Sequence, residues 1–127
     1  VINSEKDRLT LVETAISGNP SFFLGTDSAP HPTHAKYGKD AKAGIFNAAY
    51  GLEVIAEIFA AENKLENLAA FTSVNGSIFY GYEPSQENIS LHRSSIDPEK
   101  ATHISTENGN QVVLFGAEEA SQWTIST

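Results

Sequence analysis

The sequence predicts an α/β fold, because three segments of the right kind follow one another along the chain. A capped helix occupies the N-terminal residues, and an apolar run, Ser21–Gly25, follows it and stops abruptly at Thr26-Asp27. A longer amphipathic helix then begins at Ala43. A helix followed by a fully apolar strand is typical of proteins whose parallel strands are covered on both faces.

The first helix is predicted between Ser4 and Ser17. Ser4 can cap the helix, and Asp7 stands at the third helical position, as in a capping box. Apolar residues then recur on one face of the helix, at Leu9, Val12 and Ile16. Gly18 and Pro20 end the segment. The apolar run after Pro20 therefore reads as a buried parallel strand.

A loop and two further helices are predicted after this strand. The segment Ser28–Lys42, about fifteen residues rich in Pro, His, Lys and Gly, has no periodicity and reads as a loop, and long loops in compact domains tend to be functional. Between Ala43 and Asn63 apolar residues alternate spacings of three and four, which predicts the longest helix. Its stripe consists of Ile45, Ala48, Leu52, Ile55 and Phe59. A second helical piece is predicted over Leu65–Phe71, with Asn75-Gly76 supplying a left-handed turn after it.

The chain after Glu83 predicts an extension with one or two small strands. Short alternating segments at Ile89–Arg93 and Gln111–Phe115 are the candidate strands. Turns are predicted around Asp97-Pro98 and Asn108-Gly109-Asn110. We therefore divide the chain into residues 1–85 and an extension, 86–127.

Composition limits the classes of function. A chain of 127 residues with 40% apolar and 19% charged residues is ordinary for one soluble domain. A formal charge of −8 with scattered Lys and Arg disfavours nucleic acid as a partner. Without cysteine there is neither a disulfide nor a thiolate metal site, so a bound metal would need His, Asp, Glu or a modified side chain. The absence of a long apolar run disfavours a membrane span, and we expect a cytoplasmic protein.

Asp27 is the candidate reactive residue. In α/β enzymes reactive groups lie beyond the carboxyl ends of parallel strands, which is where Asp27 stands. Aspartate is also common in turns and caps, so position alone favours a structural role. His31 and His34 share the following loop with Asp27, which makes a metal site conceivable. No helical periodicity places both rings on one side, however, and solvated loop histidines remain the better interpretation.

Other polar residues carry weaker signals. His92 and His103 lie in weakly structured segments without carboxylates at informative spacing, and we read both as surface residues. Ser28 has no nucleophile elbow of the Gly-x-Ser-x-Gly type around it, which argues against a serine hydrolase.

One continuous string, Phe22–His31, resembles the last barrel strand and following loop of the bacterial and fungal homodimeric type of dihydroorotase. Further segments resemble the same family in the same order: Lys42–Ala48, Phe71–Gly76 and Phe79–Gly81. The resemblance covers most of residues 1–85. It implies that the chain is the C-terminal part of a (β/α)8 barrel, comprising a helix, the last barrel strand, the long loop and later helices, followed by an extension with short strands.

The resemblance also implies a chemistry. Dihydroorotases are zinc-dependent cyclic amidohydrolases with a binuclear centre, and they interconvert dihydroorotate and N-carbamoyl-L-aspartate in pyrimidine biosynthesis. By the same resemblance Asp27 is both a zinc ligand and the general base, His31 binds the substrate carboxylate, and the backbone at Ala43 contacts substrate. His34 corresponds to no ligand of the family.

The length of the chain restricts this expectation. A (β/α)8 barrel needs roughly 250 residues, about twice the number present. The remaining zinc ligands and the substrate-binding arginine of the family would lie upstream of Val1. We therefore expect the chain to work with the N-terminal part of the same enzyme, as a homodimer, and to be inactive alone.

Two alternatives remain open. The chain could be a non-catalytic module that keeps the dihydroorotase surface for scaffolding or assembly, with Asp27 retained only by ancestry. A different cyclic amidohydrolase, such as a hydantoinase relative, is disfavoured by the string Gly25–His31 as a whole. Zinc content and turnover of dihydroorotate distinguish these alternatives.

Overall fold

The structure, a computed structural model, describes residues 3–94, 99–117 and 122–126. Its elements in chain order are α1 (Glu5–Ile16), α2 (Thr33–Lys36), α3 (Gly51–Ala61), a 3-10 turn (Leu65–Asn67), a π-helical turn (Ala70–Val74), α4 (Asn75–Phe79), β1 (Ser90–Arg93), β2 (His103–Ser105), β3 (Gln111–Val113) and β4 (Trp123–Ser126). The predicted turn at Asp97-Pro98 lies outside the described residues. In the described part of the chain no helix has the length and apolar character needed to cross a bilayer.

The predicted first helix is confirmed as α1. Its capping box is complete, since the Asp7 amide donates to the Ser4 hydroxyl at 3.2 Å and the Ser4 amide donates to the Asp7 carboxylate at 2.8 Å. At the other end, the Asn67 side-chain amide donates to the Ile16 carbonyl at 2.8 Å. Both ends of the helix thus have side-chain partners for backbone groups that a helix cannot pair internally.

The apolar run Ser21–Gly25 forms no strand within the described residues, which corrects the sequence-based assignment. Its backbone bonds to a helical segment instead. The Leu24 amide donates to the Phe71 carbonyl at 2.9 Å, and the Asn75 side chain donates to the Phe22 carbonyl at 3.1 Å. A parallel strand exists only where a neighbouring strand pairs with it, and the described residues supply no such neighbour.

The later helices differ from the prediction at their ends. The long helix begins at Gly51 rather than Ala43, because residues before it form bonds to the preceding loop, including one from the Ala29 amide to the Ile45 carbonyl at 2.7 Å. The second helical piece does not end near Phe71 but continues through the π-helical turn into α4. Asn75 has φ −62° and ψ −42°, so the predicted left-handed turn is wrong.

The chain separates into two compact units. The first contains the described residues up to Gly25 together with Ile55–Ser90. Its buried apolar residues include Ala56, Phe59 and Leu68, and the rings of Phe59 and Phe71 lie 5.5 Å apart. The same unit exposes several large aromatic side chains, which are Phe22, Phe79, Tyr80 and Tyr82.

The second unit contains the described residues of Thr26–Val54 and Leu91–Ser126, and it holds two small sheets. β1 pairs with β4, while β2 and β3 form an antiparallel hairpin in which His103 faces Val113. The predicted strands are confirmed as β1 and β3, and the turn at Asn108-Gly109-Asn110 joins the hairpin. The sequence did not predict β2 and β4. The proposed division at residue 85 stays a prediction.

Candidate active site

Asp27 is the first candidate residue, and it stands in a left-handed backbone conformation. Its φ is 42°, a value that aspartate and asparagine tolerate better than most residues. The side chain is exposed, and no described residue forms a hydrogen bond or an ion pair with its carboxylate. Asp27 is therefore accessible to an external group.

The backbone before Asp27 is held by a side chain from the segment that leads into α3. The Asn47 amide group donates to the Thr26 carbonyl at 2.9 Å. The Asn47 side-chain oxygen and the Ser28 hydroxyl are both buried, and among the described residues neither has a hydrogen-bond partner. Unpaired buried polar atoms are rare in folded proteins. Ser28 follows Asp27 directly and Asn47 bonds to the residue before it, so both unpaired atoms belong to residues that adjoin or hold the Asp27 segment.

His31 is half-buried and lines a cavity of about 260 Å³ in the second unit. Residues from the loop, from β3 and from the turn after β3 form the walls, and they include Ala29, Lys36, Gly44, Phe46, Leu114 and Phe115. The charged or chargeable side chains of the lining are His31, Lys36 and Tyr37, and no carboxylate is among them. The cavity is thus apolar with basic groups, which suits a small anion with an apolar body.

Ala43 is exposed, and its neighbour Gly44 lines the cavity. Gly44 has φ +105°, and a Cβ added to it would lie 2.6 Å from the Ala29 Cβ. The Lys36 ammonium donates hydrogen bonds to the carbonyls of Gly44 and, at 3.0 Å, of Lys42. The backbone around Ala43 is therefore packed against the loop that follows Asp27.

The structure places the candidate residues differently with respect to the cavity. His31 lines it, Ala43 adjoins it through Gly44, and Asp27 is not part of the lining. His34 is exposed and also absent from the lining. His92, bonded to Ser126 at 2.8 Å, and His103, bonded to Thr102 at 2.9 Å, are exposed, in agreement with their interpretation as surface residues.

The donor set for a metal is incomplete. Across residues 3–94, 99–117 and 122–126, no three His, Asp or Glu residues are grouped so that they could hold an ion. A zinc site normally takes three or four protein ligands. The accessible carboxylate of Asp27 can supply one oxygen ligand, so the described residues fit one part of a shared site.

Two residues of this region were missed in the sequence. Lys36 belongs to a loop rich in charged residues, where a lysine is normally solvated, and Asn47 fell inside the predicted long helix. Their roles depend on contacts with Gly44 and Thr26, which are distant enough in sequence that no local pattern reveals them.

Comparisons with known proteins identify what this chain resembles. No family model matches it. A protein of Erythrobacter litoralis is 41% identical over 125 residues, which cover 98% of this chain and 36% of the relative. A protein of Azoarcus is 48% identical over 95 residues, covering 75% of this chain and 28% of the relative. Both relatives are cyclic amidohydrolases. More particularly, both are named dihydroorotase, and the chain is homologous to a C-terminal portion of these proteins.

Solved structures agree with the sequence relatives. Dihydroorotase of Saccharomyces cerevisiae in complex with 5-fluoroorotic acid superposes with a TM-score of 0.84 at 30% identity, over 99% of this chain and 35% of the yeast chain. Dihydroorotase of Campylobacter jejuni gives a TM-score of 0.79 at 29% identity, over 100% of this chain and 35% of the other. The predicted resemblance is confirmed. The chain spans about a third of the length of these relatives.

Proposed function

We propose that this chain is part of a dihydroorotase that reversibly hydrolyses the cyclic amide of dihydroorotate to N-carbamoyl-L-aspartate, in pyrimidine biosynthesis. The observation that carries the proposal is the accessible Asp27 carboxylate, held through Asn47 in a chain homologous to dihydroorotases over 98% of its length. The basic cavity at His31 adds support, because both the substrate and the product carry carboxylates.

Zinc is the proposed cofactor, in a binuclear centre to which this chain contributes Asp27. Bound zinc would polarise the amide carbonyl and lower the pKa of water, which makes water a nucleophile at neutral pH. In this proposal the other ligands come from outside the described residues, among which no three possible ligands are grouped. This agrees with the length of the relatives, because the chain matches only 36% of the Erythrobacter litoralis protein.

Asp27 acts as general base in the proposed reaction. Its carboxylate takes a proton from the attacking water as oxygen bonds to the amide carbon. As the carbon–nitrogen bond breaks, Asp27 returns that proton to the leaving nitrogen, so the ring opens without net change at the residue. The exposed side chain is free for this proton transfer because no described residue pairs with it.

His31 and the backbone at Ala43 bind the substrate in this proposal. A ring N–H of His31 donates a hydrogen bond to the substrate carboxylate, and it does so from a half-buried position in which competition from water is reduced. The backbone at Ala43 gives a second contact on the neighbouring wall. Two contacts to one substrate fix its orientation relative to the base.

The proposed partners are the N-terminal part of the same enzyme and a second copy in a homodimer, in the cytoplasm. Clustered aromatic side chains in the first unit support packing against further protein, since Phe79 is 69% exposed and Tyr80 66% exposed. Without those partners the ligand set is incomplete, and we expect the isolated chain to be inactive.

The test is turnover of dihydroorotate by the natively purified protein, with zinc content and intact mass measured on the same sample. We expect hydrolysis, bound zinc, and mass or gel analysis that shows further dihydroorotase sequence in addition to this 13.7 kDa segment. A sample that contains the additional sequence but neither binds zinc nor hydrolyses dihydroorotate would reject the enzyme and favour the scaffold module.

A further inference from the structure

We infer that Lys36 is a positioning residue whose ammonium group fixes the backbone of residues 42–44 beside the cavity and attracts the carboxylate of a small anionic substrate. The inference rests on the proposed function for the identity of the substrate. Whether Lys36 holds the backbone in place can be tested without the proposed function.

Lys36 is the last residue of α2, and that short helix is anchored at both ends. The Thr33 hydroxyl donates to the Gln111 carbonyl at 2.8 Å, which ties the start of α2 to β3. The Lys42 amide donates to the Ala35 carbonyl at 2.8 Å, which ties the following loop back to the helix. The half-buried Lys36 therefore extends from a fixed base.

The ammonium group of Lys36 bonds to the two carbonyls that flank Ala43. It donates to the Lys42 carbonyl at 3.0 Å and to the Gly44 carbonyl. Hydrogen bonds from a charged donor are roughly twice as strong as neutral ones. Gly44 has φ +105°, which is one of many conformations open to glycine, so a hydrogen bond to its carbonyl helps to select this one.

The charge of Lys36 has a second consequence. No described carboxylate lies within ion-pair distance of its ammonium group, and the lining of the cavity contains no acidic side chain. Lys36 and His31 thus give the cavity a basic character within a chain whose formal charge is −8. A partly desolvated positive charge attracts a carboxylate more strongly than one in bulk water does.

The neighbouring lysine provides a matched comparison. Lys39 lies in the same loop and is exposed, and its ammonium group makes no hydrogen bond or ion pair with the described residues. Removing the charge of Lys39 changes the net charge of the protein equally but leaves the carbonyls around Ala43 bonded. The pair of variants Lys36→Met and Lys39→Met therefore separates the clamp from a general charge effect.

The experiment uses the complete enzyme and two measurements, hydrogen exchange of peptides covering residues 42–45 and steady-state kinetics with dihydroorotate. For Lys36→Met we expect exchange and KM each to rise on the order of tenfold, with kcat within about twofold of the parent. Lys36→Arg, which keeps the charge and donors, should recover most of the change. Lys39→Met should match the parent in both measurements.

Parent-like exchange or parent-like KM in a folded Lys36→Met would overturn the inference. If Lys36→Met does not fold by circular dichroism, Lys36→Gln decides, because it removes the charge and keeps only a neutral donor. A parent-like KM in Lys36→Gln would then overturn the inference. A parent enzyme that binds orotate-like carboxylates without hydrolysing dihydroorotate would reject the proposed function instead. In that case, exchange and the dissociation constant of orotate decide the role of Lys36.

Discussion

The side-chain amide of Asn47 donates a hydrogen bond to the carbonyl oxygen of Thr26, the residue directly before Asp27. The two groups are 2.9 Å apart and come from segments separated by twenty-one positions. Asp27 has φ 42°, an unusual backbone conformation for a residue other than glycine. The bond from Asn47 thus holds the peptide group that directly precedes this conformation. The orientation of the candidate base therefore depends on a residue outside its own loop.

Removal of this bond should destabilise the protein and weaken catalysis together. In Asn47→Ala the exposed Thr26 carbonyl exchanges its protein donor for water, and we expect a loss of about 0.5 to 1.5 kcal/mol in the free energy of unfolding. Denaturant titration measures it, and dihydroorotate turnover reports the effect on Asp27. Asn88→Ala is the control, because the Asn88 amide makes only a long bond of 3.4 Å to the Gln86 carbonyl. Equal losses in the two variants would contradict this account.

A methyl group at Gly44 should disturb the wall of the cavity. In Gly44→Ala the new Cβ would lie 2.6 Å from the Ala29 Cβ, so the two segments must separate. Gly38→Ala is a matched control, since Gly38 also has a positive φ, +135°, but no atom lies within 4 Å of its added Cβ. We expect Gly44→Ala to be less stable than Gly38→Ala by about 1 to 3 kcal/mol, with a higher KM. Thermal denaturation showing the same stability for both would argue against tight packing at Ala29.

The capping box of α1 should make stability depend on pH at acid pH. Hydrogen bonds from the Ser4 side chain and backbone lower the pKa of Asp7 below its ordinary value of 3.8. A carboxyl whose pKa is lower in the folded state stabilises that state above the unfolded value, and the contribution is lost as pH falls through the folded value. Below about pH 4, the free energy of unfolding of Asp7→Asn should therefore fall less steeply with decreasing pH than that of the parent.

The control for this titration is Glu13→Gln, on an exposed position of the same helix. Unfolding free energies of the parent and both variants, measured from pH 2 to pH 7, separate the effects. A Glu13→Gln curve that flattens as much as that of Asp7→Asn would mean that general charge repulsion, and not the capping box, causes the acid dependence.

Local patterns predicted the parts of the fold that depend on local interactions. Ser4 and Asp7 identified α1, because a capping box is made within four residues. The Asn75-Gly76 pair predicted a turn, yet Asn75 is helical because its buried side chain bonds to the Phe22 carbonyl. The start of α3 was placed too early for a similar reason, since the Ile45 carbonyl accepts a hydrogen bond from the Ala29 amide of the preceding loop instead of one within a helix. Tertiary hydrogen bonds overrode the propensity in both places.

The candidate site was predictable only where a residue carries a recognisable chemistry. Asp27 and His31 stood out by their position after an apolar run and by the string around them. Lys36 could not be identified from the sequence, because its ammonium group bonds to the Lys42 and Gly44 carbonyls, which approach it only in the folded loop. The sequence did not predict that Leu114 and Phe115 line the cavity. Both residues lie in the segment 86–127, which the sequence pattern identified only as an extension.

The central claim is that Asp27 is the general base of a dihydroorotase, and Asp27→Asn tests it most directly. This change keeps the shape of the side chain but removes its ability to accept a proton. Asp40→Asn, at an exposed aspartate of the same loop, removes an equal charge. The measurement is kcat for dihydroorotate hydrolysis by the complete enzyme. We expect Asp27→Asn to lower kcat at least about a hundredfold and Asp40→Asn to keep it within about twofold of the parent. A kcat for Asp27→Asn within about threefold of the parent would contradict the account.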